Sequence, residues 1–136
     1  MRILAIETSC DDTAIALVEA RGGLKSPRFK VLKNIVSSQI KVHRPFGGVV
    51  PSLAKREHQK NLPKVLKSLN SKFRILNPDV IAVTVGPGLE PALWQGIEFA
   101  KKLGEKLGRP IIGVNHMEGH HYSNVLENVR IKFPAI

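Results

Sequence analysis

Apolar residues fall in short blocks along this chain, each closed by glycine, proline or a polar turn, and the spacing within the blocks changes partway along. Ile3-Leu4-Ala5-Ile6 is an apolar run stopped by Glu7 and by the turn-forming Thr8-Ser9-Cys10-Asp11-Asp12, which predicts a buried strand over Arg2–Glu7. A second strand is expected over residues 13–19, broken by Arg21-Gly22-Gly23, and a third over 31–39 after a basic, proline-containing link. The spacing then lengthens to a helical one. Pro45, Gly47, Gly48 and Pro51 shape a loop over 43–51, and Pro51 opens a helix because the first turn does not need its missing N–H. Leu53, Leu62, Val65, Leu66 and Leu69 share a helical face, with Pro63 expected as a kink or junction and Asn77-Pro78 as the end. Residues 79–85 read as a buried strand closed by Gly86-Pro87-Gly88. Pro91 starts a second helix with Leu93, Ile97, Ala100, Leu103 and Leu107 inward, ended by Gly108-Arg109-Pro110. A strand over 111–114 follows, then a helix from His116 to about residue 127, and Phe133-Pro134-Ala135-Ile136 reads as the start of another strand.

The predicted order is β-β-β-α-β-α-β-α. Three strands joined by short connections form an antiparallel meander, and the βα units that follow add parallel strands by right-handed crossovers. That layout resembles the ribonuclease H-like lobe used by actin, sugar kinases and the Hsp70 ATPase, an α/β fold. No internal repeat, low-complexity tract or second domain is visible, so residues 1–136 read as one lobe.

Composition narrows the class. A hydrophobic content of 43% suits a globular core, and no apolar run approaches the roughly 20 residues that span a bilayer, so no membrane partner is expected. An acid at Glu7 comes too soon for a signal peptide, and a single cysteine offers no disulfide framework; a cytoplasmic protein is expected. Cys10, with no base evident beside it, is expected to be a small packed residue. Lys and Arg total 21 against 11 acids, a net charge of +10, which raises the local concentration of polyanions such as RNA. The positive charges are scattered, and the few aromatics do not form a base-stacking array.

The densest candidate chemistry is His116-Met117-Glu118-Gly119-His120, directly after the apolar run Ile111-Ile112-Gly113-Val114. Histidines four apart share one helical face, close enough for both rings to reach one metal ion. Glu118 points away from that face, and the spacing is not the HExxH of zinc proteases. The hydroxyl- and acid-rich turn at 8–12 places Asp11 and Asp12 where they can hold a metal-bound water or orient a substrate amine; the plain alternative is an Asx-type turn. Gly86-Pro87-Gly88 and Gly47-Gly48-Val49-Val50-Pro51 are each a ligand-approach loop or a connector; neither has a GxGxxG or Walker pattern. His43 and His58 are isolated in sequence and expected at the surface or as caps. A nuclease would need clustered carboxylates holding two metals; Glu7 and Glu57 are candidates, but the strand over 79–85 brings no acid to its working end.

Four motifs occur in order: Ile6-Glu7-Thr8-Ser9-Cys10-Asp11-Asp12-Thr13, Gly47-Gly48-Val49-Val50-Pro51, Gly86-Pro87-Gly88-Leu89 and Asn115-His116-Met117-Glu118-Gly119-His120. In composition and spacing the chain resembles, over essentially its whole length, the catalytic subunits of the tRNA N6-adenosine threonylcarbamoyltransferase family, formerly called glycoproteases or O-sialoglycoprotein endopeptidases. The resemblance implies a two-lobed, actin-like enzyme that moves a threonylcarbamoyl group from threonylcarbamoyl-adenylate to N6 of the adenosine beside the anticodon. It implies one divalent metal, iron ahead of zinc, on His116 and His120, and an acid important for activity at Asp11. It further implies tRNA, a non-catalytic paralogue and other subunits of a modification complex as partners.

The resemblance also sets limits. Glu90-Pro91-Ala92-Leu93-Trp94-Gln95 stands where many bacterial members carry small or aliphatic residues. Family members continue past the position of Phe133-Pro134 into a Ser-Gly-Gly-His-Thr loop and a second lobe that supplies a further metal-binding aspartate. This chain is therefore expected to be the N-terminal lobe and inactive alone. The alternative is a non-catalytic paralogue or scaffold that pairs with the full-length transferase; that class lacks the histidine pair. Nothing supports a peptidase, since neither HExxH nor a nucleophile–base pair is present.

Overall fold

The first strand, β1 (Arg2–Glu7), is flanked by two different kinds of neighbour, and this decides the architecture. On one side it pairs antiparallel with β2 (Asp12–Arg21), which pairs antiparallel in turn with β3 (Arg28–Ser38). On the other it pairs parallel with β4 (Val80–Gly86), which pairs parallel with β5 (Ile111–Asn115). The computed structural model describes residues 1–23, 27–72 and 77–123, and these form a five-stranded sheet of order β3-β2-β1-β4-β5. Between β3 and β4 lie a one-turn helix α1 (Ile40–His43), a 3-10 turn (Arg44–Phe46) and the long helix α2 (Pro51–Lys72). Helix α3 (Glu90–Leu107) links β4 to β5, and α4 (His116–Ser123) follows β5 without a break. This is the ribonuclease H-like order expected from the sequence.

Alternation along the strands gives one face to the helices. Leu4 and Ile6 of β1, Ile15 and Leu17 of β2, and Ile81 and Val83 of β4 form a buried core with Leu62, Val65 and Leu69 of α2 and Ala100 and Leu103 of α3. Each fully buried aliphatic side chain contributes about 1.5–3 kcal/mol through loss of contact with water. Glu7 and Thr84 fall on the opposite alternation, at the C-terminal ends of β1 and β4, away from this core. At the other end of β1, Asp79 exchanges two hydrogen bonds with Arg2: its side chain accepts from the Arg2 amide at 2.6 Å, and its own amide donates to the Arg2 carbonyl at 2.8 Å.

Several boundaries differ from the sequence expectation. Strand β3 begins at Arg28, not residue 31, because its ladder with β2 continues to Arg21↔Arg28 although the side chains there are exposed. His43, expected to open a loop, is instead the last residue of α1, and the 3-10 turn follows it. Pro63 lies inside a continuous α2 on its exposed side, where the missing N–H leaves the carbonyl of Gln59, also an exposed residue, without its helical donor. Residues 124–127 of the last predicted helix, and the strand expected at Phe133-Pro134-Ala135-Ile136, lie outside the described residues. No described helix is long and apolar enough to cross a membrane.

Candidate metal centre and the loops around it

The parallel strands β1, β4 and β5 end side by side, and the candidate residues gather at those ends. Strand β5 passes directly into α4, and Asn115 caps the junction: its Oδ1 accepts from the amides of Met117 at 2.8 Å and Glu118 at 3.2 Å. Capping of this kind satisfies first-turn donors that have no helical partner. The helix then presents His116 and His120 on one face, with their Nε2 atoms 3.0 Å apart and their rings nearly perpendicular at 88°. Glu118 is exposed and takes no part, as its position on the helix predicts.

Glu7, in sequence a candidate only for the carboxylates of a nuclease, belongs to this cluster. Its Oε2 lies 3.4 Å from His116 Nδ1 and accepts from Thr84 Oγ1 at 2.5 Å, while its Oε1 accepts from the Ser9 amide. Ser9 Oγ is itself 3.2 Å from His116 Nδ1. Burial alone would raise the Glu7 pKa, but hydrogen bonds from Ser9, Thr84 and His116 outweigh it and hold the carboxyl below its ordinary value. Glu7 is therefore an anion at neutral pH.

Two imidazole nitrogens within hydrogen-bond distance of each other, one ring backed by a carboxylate, are a donor set that suits a divalent transition metal. Tetrahedral zinc geometry sets ligand nitrogens about 3.3 Å apart, close to the 3.0 Å between the two Nε2 atoms. Among the described residues no third His, Cys, Asp or Glu completes a metal-binding group. The histidine pair fits a metal as two ligands of a set.

The turn carrying Asp11 is locked to the start of α3. Thr8 Oγ1 donates to the Ala92 carbonyl at 3.0 Å, and the Leu89 amide donates to the Ser9 carbonyl at 2.8 Å. Two glycines allow this closeness: a Cβ at Gly88 would sit 2.7 Å from the Ser9 oxygen, and one at Gly96 would collide with Thr8 Oγ1. In Gly86-Pro87-Gly88 the first glycine takes a positive φ of 154° and the second packs against the hairpin. Asp11 is half-buried, and its carbonyl accepts from the Gln39 amide at 2.9 Å. Ser9, two residues before it, touches His116, so the Asp11 turn and the histidine pair share one end of the sheet.

His43 and His58 are not surface residues. His58 is 0% exposed, and with Gln39 and His43 it forms a buried polar chain. Its acceptors assign the tautomers: His58 Nε2 donates to the Cys10 carbonyl at 3.0 Å, leaving Nδ1 to accept from Thr13 Oγ1 at 2.8 Å and Gln39 Nε2 at 3.3 Å. Gln39 Oε1 accepts from His43 Nε2 at 3.0 Å, and His43 Nδ1 accepts from the Val50 amide at 3.3 Å. Each polar atom on this path finds a complementary one. The sequence carried a signal, since His58 lies on the same helical stripe as buried Ala54, Leu62, Val65 and Leu69. Cys10 also departs from expectation: it is exposed, because its carbonyl, not its thiol, turns inward to His58. Partial burial and a hydrogen bond with Asp11 push its thiol pKa up, away from the reactive thiolate.

Comparison with known proteins places this arrangement in context. The sequence model of the tRNA N6-adenosine threonylcarbamoyltransferase family, TsaD, matches residues 30–136. The tRNA N6-adenosine threonylcarbamoyltransferase of Thermosipho melanesiensis is 51% identical over an alignment that takes in 100% of this chain and 40% of that protein. That of Fervidobacterium nodosum is 47% identical over 100% of this chain and 39% of its own length. The chain thus spans about two-fifths of these curated relatives. Among solved structures, YeaZ from Pseudomonas aeruginosa superposes with a TM-score of 0.60 at 20% identity, covering 90% of this chain and 48% of YeaZ. Thermus thermophilus RuvC does so with a TM-score of 0.57 at 14% identity, covering 87% of this chain and 66% of RuvC. Likeness at such low identity concerns the ribonuclease H-like fold. With the family match over residues 30–136 and half of all positions identical to a curated member, the chain belongs to the tRNA N6-adenosine threonylcarbamoyltransferase family.

Proposed function

We propose that this chain provides the histidine half of a metal centre in an enzyme that transfers a threonylcarbamoyl group from threonylcarbamoyl-adenylate to N6 of the adenosine beside the anticodon of tRNA. The observation that carries the reading is the convergence of His116 and His120 Nε2 at the end of the parallel strands, beside the Asp11 turn. His116 and His120 would hold a divalent metal, iron ahead of zinc, with the remaining ligands supplied from outside the described residues. When bound, such a metal supplies Lewis-acid stabilisation of charge on the carbamoyl oxygen. Asp11 would orient the attacking adenosine amine, and its turn is held for that task by Thr8, Gln39 and His58. The net charge of +10 favours approach of a polyanion such as tRNA, and a non-catalytic paralogue and further subunits would complete the assembly.

The test is transfer from threonylcarbamoyl-adenylate to tRNA by the intact protein with its partner subunits, compared with His116→Ala/His120→Ala and Asp11→Asn. Loss of transfer in all variants, with loss of bound metal only in the histidine pair, is the expected outcome. Full transfer by the histidine variant would refute the assignment.

A further inference from the structure

Each nitrogen of His116 meets a group of different chemistry. Nε2 faces His120, and Nδ1 faces Glu7 Oε2 at 3.4 Å and Ser9 Oγ at 3.2 Å. A carboxylate only accepts, so the neutral imidazole that fits this surrounding carries its proton on Nδ1 and keeps a lone pair on Nε2, the atom that faces His120. Glu7 is not free to turn aside. Thr84 Oγ1 donates to the same Oε2, and the Ser9 amide donates to Oε1, so strand β4 and the β1–β2 turn together fix the carboxylate plane.

We propose that Glu7 is the positioning residue of the metal centre: it selects the Nδ1–H tautomer of His116 and thereby presents Nε2 as the ligand. This inference rests on the metal-binding reading above and adds to it a residue more than 100 positions away in sequence. Thr84 acts one step further out by holding the Glu7 oxygen that faces the ring. Glu7→Gln keeps the size but replaces one oxygen by a donor, and the Ser9 amide and Thr84 hydroxyl compete for the oxygen that remains. His116 then loses its charged acceptor and the two ring tautomers become closer in energy.

The experiment uses the intact protein freed of metal and titrated with Co²⁺, followed by the visible ligand-field bands. Parent protein, Glu7→Gln, Ser9→Ala and His116→Ala are compared, with thermal unfolding of each. The expected result is Co²⁺ affinity lowered about 10–100-fold in Glu7→Gln, the range typical of lost outer carboxylates, with a smaller change in Ser9→Ala. The band positions of Glu7→Gln at saturating Co²⁺ should also shift, which a merely structural role would not produce. Parent-like affinity and bands in Glu7→Gln, with binding lost in His116→Ala, would overturn the role of Glu7 and leave the metal reading standing. Equal Co²⁺ binding by parent and His116→Ala would overturn both. A second measurement needs no variant: ¹⁵N spectra of the metal-free parent should show the His116 proton on Nδ1, and a proton on Nε2 instead would overturn the proposal even if Glu7→Gln failed to fold.

Discussion

His58 on α2 donates from Nε2 to the carbonyl oxygen of Cys10, 3.0 Å away, and so ties the long helix to the turn next to Asp11. Replacing His58 by Ala removes a fully buried ring and leaves Thr13, Gln39 and the Cys10 carbonyl without their partner. The expected loss is on the order of 3 kcal/mol, from a cavity together with stranded polar groups. Denaturant unfolding measures it, and a change within about 0.5 kcal/mol, as at an ordinary surface site, would contradict the buried network.

The same residue gives the fold a defined pH dependence. Burial, the largest influence, lowers the His58 pKa below 6.5, against smaller opposing effects of the Cys10 carbonyl and nearby acids. The unfolded chain therefore binds the proton more readily than the folded one. Stability is fully present above pH 6.5 and declines as pH falls from there through the folded-state pKa. Unfolding free energies measured from pH 8 downwards should show this decline in the parent and a weaker one in a folded His58→Gln variant. Parallel profiles would remove His58 as its source.

Gly88→Ala tests the contact between the two loops. The new methyl carbon would lie 2.7 Å from the Ser9 oxygen and 2.8 Å from its Cβ, so the backbone must give way. A destabilisation of about 1–3 kcal/mol follows from overpacking, and the displaced Ser9 should weaken metal binding as well. Unchanged stability would show that this approach is not needed.

At the α4 junction, Asn115→Ala removes the acceptor for two first-turn amides, at a cost of about 1 kcal/mol, whereas Asn115→Asp retains a good capping oxygen. Thermal unfolding and Co²⁺ affinity should fall together in the alanine variant and largely recover in the aspartate one. A fall in both variants alike would point away from capping.

What could be read from the sequence was whatever repeats locally. Strand β1 ends where its apolar run ends, and α3 buries Leu93, Ala100 and Leu103, as helical spacing requires. The pairing of His116 with His120 was legible because a helix fixes residues four apart. The link of Glu7 to the histidine pair is not legible, since its partners Thr84 and His116 lie 77 and 109 residues away and no local period links them. His43 and His58 look polar in a linear reading, and only the closed chain of donors and acceptors explains their burial. The start of β3 is not legible because backbone pairing with β2, not side-chain character, sets it.

The place of β1 between β2 and β4 has a kinetic consequence. The β1–β2–β3 meander closes over short chain distances, whereas β4 reaches β1 only after the long intervening segment with α2 has looped back. Such distant pairing carries the larger loop-closure cost and is favoured late in folding. Glu7, Thr84 and His116 stand on three segments that meet only through that event. During refolding, metal affinity should therefore rise after the hairpin signal, making a bound ion a clock for the last strands to arrive.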